Sequence, residues 1–151
     1  TQIEQVILTV SPVRYLQQGF EANSLSKAKL RLLCQELTEK FNFVSYFPAF
    51  EILQDDLRDY RFYTKDLVHP SEMAVDYVWD VFQEALLDQS TRELSMQIEA
   101  LQRASSHRPF NPRSKAHKEF CRNQIKKAEE ITRENEELEL GEIVSKFKSY
   151  L

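Results

Sequence analysis

The chain has 151 residues, 42% of them hydrophobic and 29% charged, which is enough for one folded domain and too apolar for a disordered segment. Its net charge of −4 gives no general reason to bind nucleic acid or an anionic membrane. With 2 glycines it is a poor candidate for a complete nucleotide-binding or all-β domain, because tight turns and phosphate loops need positive φ.

Targeting signals and metal-ligand patterns are missing from the sequence. It has no signal peptide and no apolar run long enough to span a bilayer, so we expect a cytoplasmic protein. Because the sequence begins at Thr1 rather than Met, it leaves open whether the parent protein carries a leader. Cys34 and Cys121 are too few for a disulfide framework and are predicted to be buried free thiols. We predict no cofactor and no metal, since no His, Cys or Glu residues show paired ligand spacing.

The first fifty residues predict a βαβ unit. Gln5–Val10 and Phe43–Tyr46 are short apolar runs that end next to prolines, as buried parallel strands do. Between them, Ser24 or Ser26 is predicted to cap a helix that runs to about residue 41. Its predicted buried stripe consists of Leu30, Leu33, Cys34, Leu37 and Phe41. The two strands should therefore be parallel, with a right-handed crossover.

The loop after the first strand, Ser11–Asn23, is a candidate ligand site. Parallel strands place ligand contacts just beyond their carboxyl ends, so Ser11 and Arg14 are predicted to bind substrate or line an active-site loop. A solvated or salt-bridged arginine is the equally weighted alternative for Arg14.

The middle of the chain is less regular. Residues 48–57 fit a short strand or a helical turn equally well. The polar loop Asp55–Asp66 combines arginines with aromatics, an arrangement typical of sugar or base contacts and, more often, of a loop anchored by cation–π packing. Pro70 is then predicted near position N1 of an amphipathic helix. The predicted core stripe of this helix consists of Val75, Val78, Trp79, Phe82 and Leu86.

From residue 88 onward the sequence predicts a helical extension, 88–151, to a first domain of residues 1–87. Ser90 has capping-box spacing, a helix with a narrow apolar stripe runs to about Ala104, and Ser105–Arg113 is a proline-bearing connection. A long charged helix then runs from Ser114 to Leu140, with Gly141 as its C-cap, before a last short helix. We expect a helical hairpin that packs on something else, with a homo-oligomer as one outcome.

Basic residues concentrate around the connection between these two helices. These residues either bind a phosphate or an acidic partner, or they form a solvated turn. Such runs of charge favour the solvated turn. The residues are Arg103, His107, Arg108, Arg113, Lys115 and Lys118.

Asp66 and His69 are the candidate catalytic residues. A carboxylate three residues before a histidine, on a loop that enters a helix, can contact one ring nitrogen while the other faces a cleft. In ester hydrolysis the histidine takes the proton of a nucleophile and the carboxylate orients the ring. The spacing alone occurs often by chance and more often marks a structural histidine.

Four stretches, in order and with compatible spacing, carry a family resemblance. They are LTVSPVR (8–14), YFPAFEI (46–52), DDLRDYRFYTKDLVHPSEMAVDYVW (55–79) and HRPFNPRSKAHKEF (107–120). Together they resemble the C-terminal part of the GSCFA family, bacterial SGNH-hydrolase-like proteins named for a Gly-Ser-Cys-Phe-Ala motif near the N-terminus.

The resemblance implies a partial three-layer α/β/α SGNH-type fold with few parallel strands. It also implies His69 as general base, Asp66 as its orienter, and residues 11–14 on the active-site side of a central strand. The implied function is a serine ester hydrolase, an O-acyl or acetyl esterase whose substrate is an acylated small molecule or carbohydrate. The alternative is a non-catalytic binding or scaffold protein on the same fold.

One departure from the family pattern limits these expectations. No Gly-Ser-Cys-Phe-Ala or Gly-Asp-Ser sequence occurs in the chain. The nucleophile and the oxyanion-hole donors are therefore expected upstream of Thr1, and this chain alone is expected to be inactive. We also expect it to be poorly soluble, or to associate with the N-terminal part of its own domain, because an apolar edge should be uncovered.

Overall fold

The computed structural model describes residues 3–151. The chain divides into two compact units, Thr1–Leu87 and Asp88–Leu151. The first combines helices with a small sheet and the second is helical, so the fold is helix-rich and of mixed α/β class. None of the helices between residues 3 and 151 combines the length and hydropathy that a bilayer crossing requires.

The sheet of the first unit has two parallel strands, β1 (Val6–Leu8) and β2 (Val44–Tyr46). Val6 pairs with Val44 and Leu8 with Tyr46, which confirms the predicted parallel pairing. Both strands are three residues long, shorter than predicted.

Helix α1 (Phe20–Lys40) joins the two strands and begins earlier than predicted. Gly19 is its N-cap with a φ of 89°, a left-handed value that glycine adopts without strain, so neither Ser24 nor Ser26 caps the helix. Cys34 is buried as predicted, but Leu30 and Leu33 are 45% and 49% exposed, contrary to the predicted stripe. A sheet of two three-residue strands offers α1 little apolar surface, so few of its side chains can be covered.

The segment after β2 is helical rather than extended. One α-helical turn, α2 (Ala49–Glu51), continues as a π-helical turn over Ile52–Leu57. Arg58 ends this turn with a φ of 42°, a left-handed value that is uncommon outside glycine. A 3₁₀ turn (Tyr60–Phe62) follows, capped by the Asp59 side chain, which accepts a hydrogen bond from the Arg61 N–H. Half of the predicted polar loop Asp55–Asp66 therefore lies in helical turns.

Helix α3 (Glu72–Leu86) is capped by Ser71, whose hydroxyl accepts from the Ala74 N–H. Pro70 lies before this cap rather than at N1, because it pairs with Tyr63 in an isolated antiparallel bridge. Three predicted core residues of α3 pack against Phe47, Ala49 and Ile52; they are Val78, Phe82 and Leu86.

Two predicted core residues of α3 are exposed instead. Val75 is 55% exposed and Trp79 is 40% exposed, with the Trp79 ring stacked on Phe82 at 5.5 Å between centroids. Ala74 takes the other inward position, fully buried against Leu53 and Tyr63. The stripe that faces the core is therefore rotated toward Ala74.

The second unit has three helices, α4 (Gln89–Ser106), α5 (Lys115–Glu134) and α6 (Gly141–Lys148). Asp88, not Ser90, caps α4 by accepting from the Thr91 N–H at 2.7 Å. α5 ends at Glu134 rather than Leu140, and Gly141 is the first residue of α6 rather than a C-cap.

The core of this unit is built by all three helices. α6 packs on the predicted hairpin and closes its apolar side with Phe147, which is 2% exposed. One cluster joins Leu101 of α4 to Ala128 and Ile131 of α5. A second cluster holds Cys121, a buried free thiol as predicted, with Ile125 and Phe147.

Candidate active site

The candidate catalytic residues lie on a closed loop between the 3₁₀ turn and α3. Tyr63 and Pro70 form an antiparallel bridge at its base. The Thr64 N–H donates to the His69 carbonyl at 2.8 Å, and the Ser71 N–H donates to the Phe62 carbonyl at 2.8 Å. We call residues 64–69 the His69 loop. Its ends are tied together, so its side chains are held by a defined backbone.

Asp66 organises the inside of the His69 loop. Its Oδ1 accepts from the Thr64 hydroxyl at 2.5 Å, the Val68 N–H at 2.8 Å and the His69 N–H at 3.1 Å. The Thr64 hydrogen bond, with those from His69 and Val68, holds the pKa of Asp66 well below its ordinary value. Asp66 is therefore a carboxylate at neutral and mildly acidic pH.

The other oxygen of Asp66 contacts the histidine. Asp66 Oδ2 lies 2.7 Å from His69 Nδ1, and the two side chains are 49% and 60% exposed. An acceptor at this position favours the tautomer with the proton on Nδ1 and leaves Nε2 as the free base. Within residues 3–151, His69 Nε2 makes no hydrogen bond. The geometry is that of an oriented imidazole base, while the catalytic roles of both residues stay predictions.

Arg14 is brought to the same loop from a distant part of the sequence. Its backbone N–H donates to the Val68 carbonyl and its Nη1 to the Leu67 carbonyl, both at 3.1 Å. Its guanidinium carbon lies 4.0 Å from the ring centroid of Tyr63. Arg14 is therefore a half-buried bracing residue rather than a solvated or salt-bridged one. It fixes the backbone next to His69.

Ser11 is not placed against His69. Its hydroxyl is exposed and accepts from the Val13 N–H at 3.2 Å, and within the described residues no hydrogen bond joins it to His69. The predicted role of Ser11 in substrate binding stays a prediction.

Lys27 holds the loop that carries Ser11 and Arg14. This role was not predicted from the sequence. Lys27 is 8% exposed, and its ammonium donates to the carbonyls of Ser11 at 2.5 Å and Val13 at 2.8 Å. Burial lowers the pKa of Lys27. Nothing in the local sequence marks it, because a lysine on a helix is ordinarily exposed.

A pocket of about 190 Å³ opens beside Arg14. Its lining is Arg14, Leu53, Gln54, Arg58, Asp59, Tyr60 and Tyr63. Gln54 donates to the Tyr63 hydroxyl at 2.8 Å, which fixes one wall. We call this the arginine pocket.

The aromatic residues of this region pack against arginines, as in the cation–π anchoring that was predicted as the more common alternative to a sugar or base contact. Arg61 lies over the Phe62 ring at 5.0 Å, as Arg14 lies over Tyr63. These cation–π contacts hold the 3₁₀ turn in place. The predicted sugar contact stays a prediction.

The basic residues of the second unit are a separate set, and their predicted role, an anion or acidic-partner site or a solvated turn, stays a prediction. Lys118 donates to the Leu151 carbonyl at 2.6 Å. No group of three His, Cys, Asp or Glu side chains between residues 3 and 151 is arranged to hold a metal ion.

Comparison with family models decides the family. The model of the GSCFA family matches residues 1–82, more than half of the chain. The chain belongs to the GSCFA family. The model of the GSCFA domain protein, C-terminal domain, matches residues 98–151. No curated protein and no solved structure matches the chain. The resemblance drawn from the four motifs is thereby confirmed, and the His69 loop of this GSCFA protein lies inside the first matched segment.

Proposed function

We propose that this GSCFA chain supplies the general base and its orienting carboxylate to a serine ester hydrolase with a three-layer α/β/α fold of SGNH type. The substrate is an acylated small molecule or carbohydrate. The observation that carries the proposal is the 2.7 Å contact between Asp66 Oδ2 and His69 Nδ1, with Nε2 left free.

The two residues have different tasks in the proposed reaction. His69 Nε2 takes the proton of a serine hydroxyl as the serine oxygen attacks the acyl carbon. Asp66 holds the Nδ1–H tautomer and stabilises the imidazolium. His69 then gives the proton to the departing alcohol, and water hydrolyses the acyl-enzyme by the same base. The low pKa of Asp66 supports this role, because the carboxylate stays charged throughout the working pH range.

The nucleophile is proposed to come from outside these 151 residues. Neither a Gly-Ser-Cys-Phe-Ala nor a Gly-Asp-Ser sequence is present. Ser11 is not proposed in its place, since its hydroxyl accepts from the Val13 N–H and no hydrogen bond within residues 3–151 joins it to His69. Serine and oxyanion donors from an upstream segment would complete the site.

The test is hydrolysis of aryl acetates and acetylated sugars by the complete protein. We expect His69→Ala to lower kcat by about 10²- to 10⁴-fold, the usual contribution of a positioned base. Asp66→Asn should also lower it, because the amide no longer holds the correct tautomer.

His107→Ala is the matched control, since His107 is an exposed histidine of the second unit. Its activity should equal that of the unmodified protein. Equal activity in the His69→Ala variant refutes the hydrolase proposal. A complete protein without esterase activity supports the alternative, a non-catalytic binding or scaffold protein on the same fold.

A further inference from the structure

We propose that the arginine pocket binds an anionic group, a carboxylate or a phosphate, carried by the molecule whose ester bond lies at His69. This proposal rests on the proposed function, because only that function makes the bound molecule a substrate. Anion binding itself requires no catalysis and can be measured separately.

The charges of the pocket favour an anion. Arg14 and Arg58 line it together with a single acid, Asp59. Asp59 is already engaged by Arg61, at 2.9 Å through the backbone N–H and 3.8 Å through the side chain. The lining of the pocket therefore contains two arginines and one carboxylate, which gives it a net positive charge.

The two arginines retain donors for a ligand. Within residues 3–151 the Arg58 guanidinium has no hydrogen bond or ion pair. Arg14 uses Nη1 on the Leu67 carbonyl, one of five N–H donors on its guanidinium. A guanidinium fork matches the two oxygens of a carboxylate or phosphate, which a neutral hydroxyl does not.

The backbone at Arg58 is a second, independent observation. Arg58 has a φ of 42° at the end of the π-helical turn Ile52–Leu57, and its N–H donates to the Leu53 carbonyl at 3.2 Å. A glycine would adopt this conformation without strain, yet an arginine is found there. Strained backbone and π-helical turns both concentrate at functional sites.

Arg14 connects the pocket to the proposed catalytic pair. The residue that forms one wall of the pocket also bonds the Leu67 and Val68 carbonyls, directly before His69. Tyr60 adds an aromatic surface that is 68% exposed, against which a sugar ring can pack. The substrate class is therefore an acylated sugar that carries a carboxylate or a phosphate.

The experiment measures binding to the complete protein by titration calorimetry with three probes: glucuronate, glucose 6-phosphate and glucose. We expect one or both anionic sugars to bind more tightly than glucose. Arg58→Gln should weaken anion binding by about tenfold and leave glucose binding unchanged, since one charge-assisted contact is lost. Arg58→Lys keeps the charge and should retain part of the affinity.

Arg122→Gln is the matched control. Arg122 lies on α5 of the second unit, is exposed and does not line the pocket, so anion binding should be unchanged. Equal binding of glucose and both anionic sugars by the unmodified protein overturns the proposal, as does undiminished anion binding by Arg58→Gln.

The two proposals fail separately. Arg58-dependent anion binding without any ester hydrolysis retains the pocket and refutes the hydrolase. Hydrolysis that requires His69 and shows no preference for anionic sugars retains the hydrolase and overturns the pocket. Glucuronate and glucose 6-phosphate distinguish which oxyanion the pocket accepts.

Discussion

Asp66 is held as an ion by its own loop. A folded-state pKa below the ordinary value of 3.8 means that this carboxylate stabilises the fold above that pH. The contribution is lost only as the pH falls through the lower folded pKa. The Asp66–His69 contact should therefore persist through the neutral and mildly acidic range, and the His69 loop should loosen only in strong acid.

Thr64 is the first contributor to this low pKa. Thr64→Val removes the hydroxyl that donates to Asp66 Oδ1, so the pKa of Asp66 should rise toward its ordinary value. The measurement is a pH titration of the Asp66 carboxyl carbon by NMR. Thr64→Ser retains the hydroxyl and should titrate as the unmodified protein does. An unchanged titration in Thr64→Val would contradict the assigned cause.

Helix caps set several boundaries that apolar periodicity alone does not. Ser71, Asp88 and Ser114 each accept a hydrogen bond from the N–H three residues ahead. α5 depends on such a cap, because its first turn has no acidic residue to complement the helix dipole.

Removing the cap of α5 should lower stability. Ser114→Ala deletes the acceptor of the His117 N–H, found at 3.1 Å, and should reduce the free energy of unfolding of the second unit by about 1 kcal/mol. Chemical denaturation followed by circular dichroism measures this change. Ser106→Ala, at an exposed position at the end of α4, should have little effect. Equal losses in the two variants would argue against the cap.

Exposed apolar side chains characterise the first unit as a whole. α1 exposes Phe20, Leu25 and Leu32 by 74%, 57% and 65%. Leu25 and Leu32 are seven residues apart and share one side of α1, opposite buried Lys27 and Cys34. Water-exposed leucines on one helix side favour association with another apolar surface. The predicted association with an N-terminal part of the same domain stays a prediction, and this side of α1 is where we expect it.

The 151-residue chain, studied by itself, is therefore expected to self-associate. Sedimentation velocity over a range of concentrations should show assemblies, and the double variant Leu25→Lys, Leu32→Lys should reduce them. Phe110→Lys in the second unit, at a fully exposed position, is the control. A chain that stays monomeric would contradict this expectation. Assemblies unaffected by the double variant would instead support the predicted homo-oligomer through the C-terminal helices.

Local patterns in the sequence were sufficient to predict the parallel βαβ order, the presence of helices in the second unit and the contact between Asp66 and His69. Apolar runs, helical periodicity and short spacings are all patterns that can be read along the sequence, and a three-residue spacing brings two side chains within reach where the backbone turns, as it does in the His69 loop. Boundaries were less predictable: Gly19 begins α1 and α5 ends at Glu134, because capping competes with apolar periodicity at the helix ends.

Tertiary structure decided the surroundings of that pair. Arg14 meets Leu67 across 53 positions of sequence, and Lys27 is buried against the carbonyls of Ser11 and Val13. It also decided that Trp79 and Leu33 stay exposed. Backbone propensity and side-chain spacing act over a few residues, so they determine which elements form. Which polar groups those elements bring together depends on how they pack, and the arginine pocket exists only as a result of that packing.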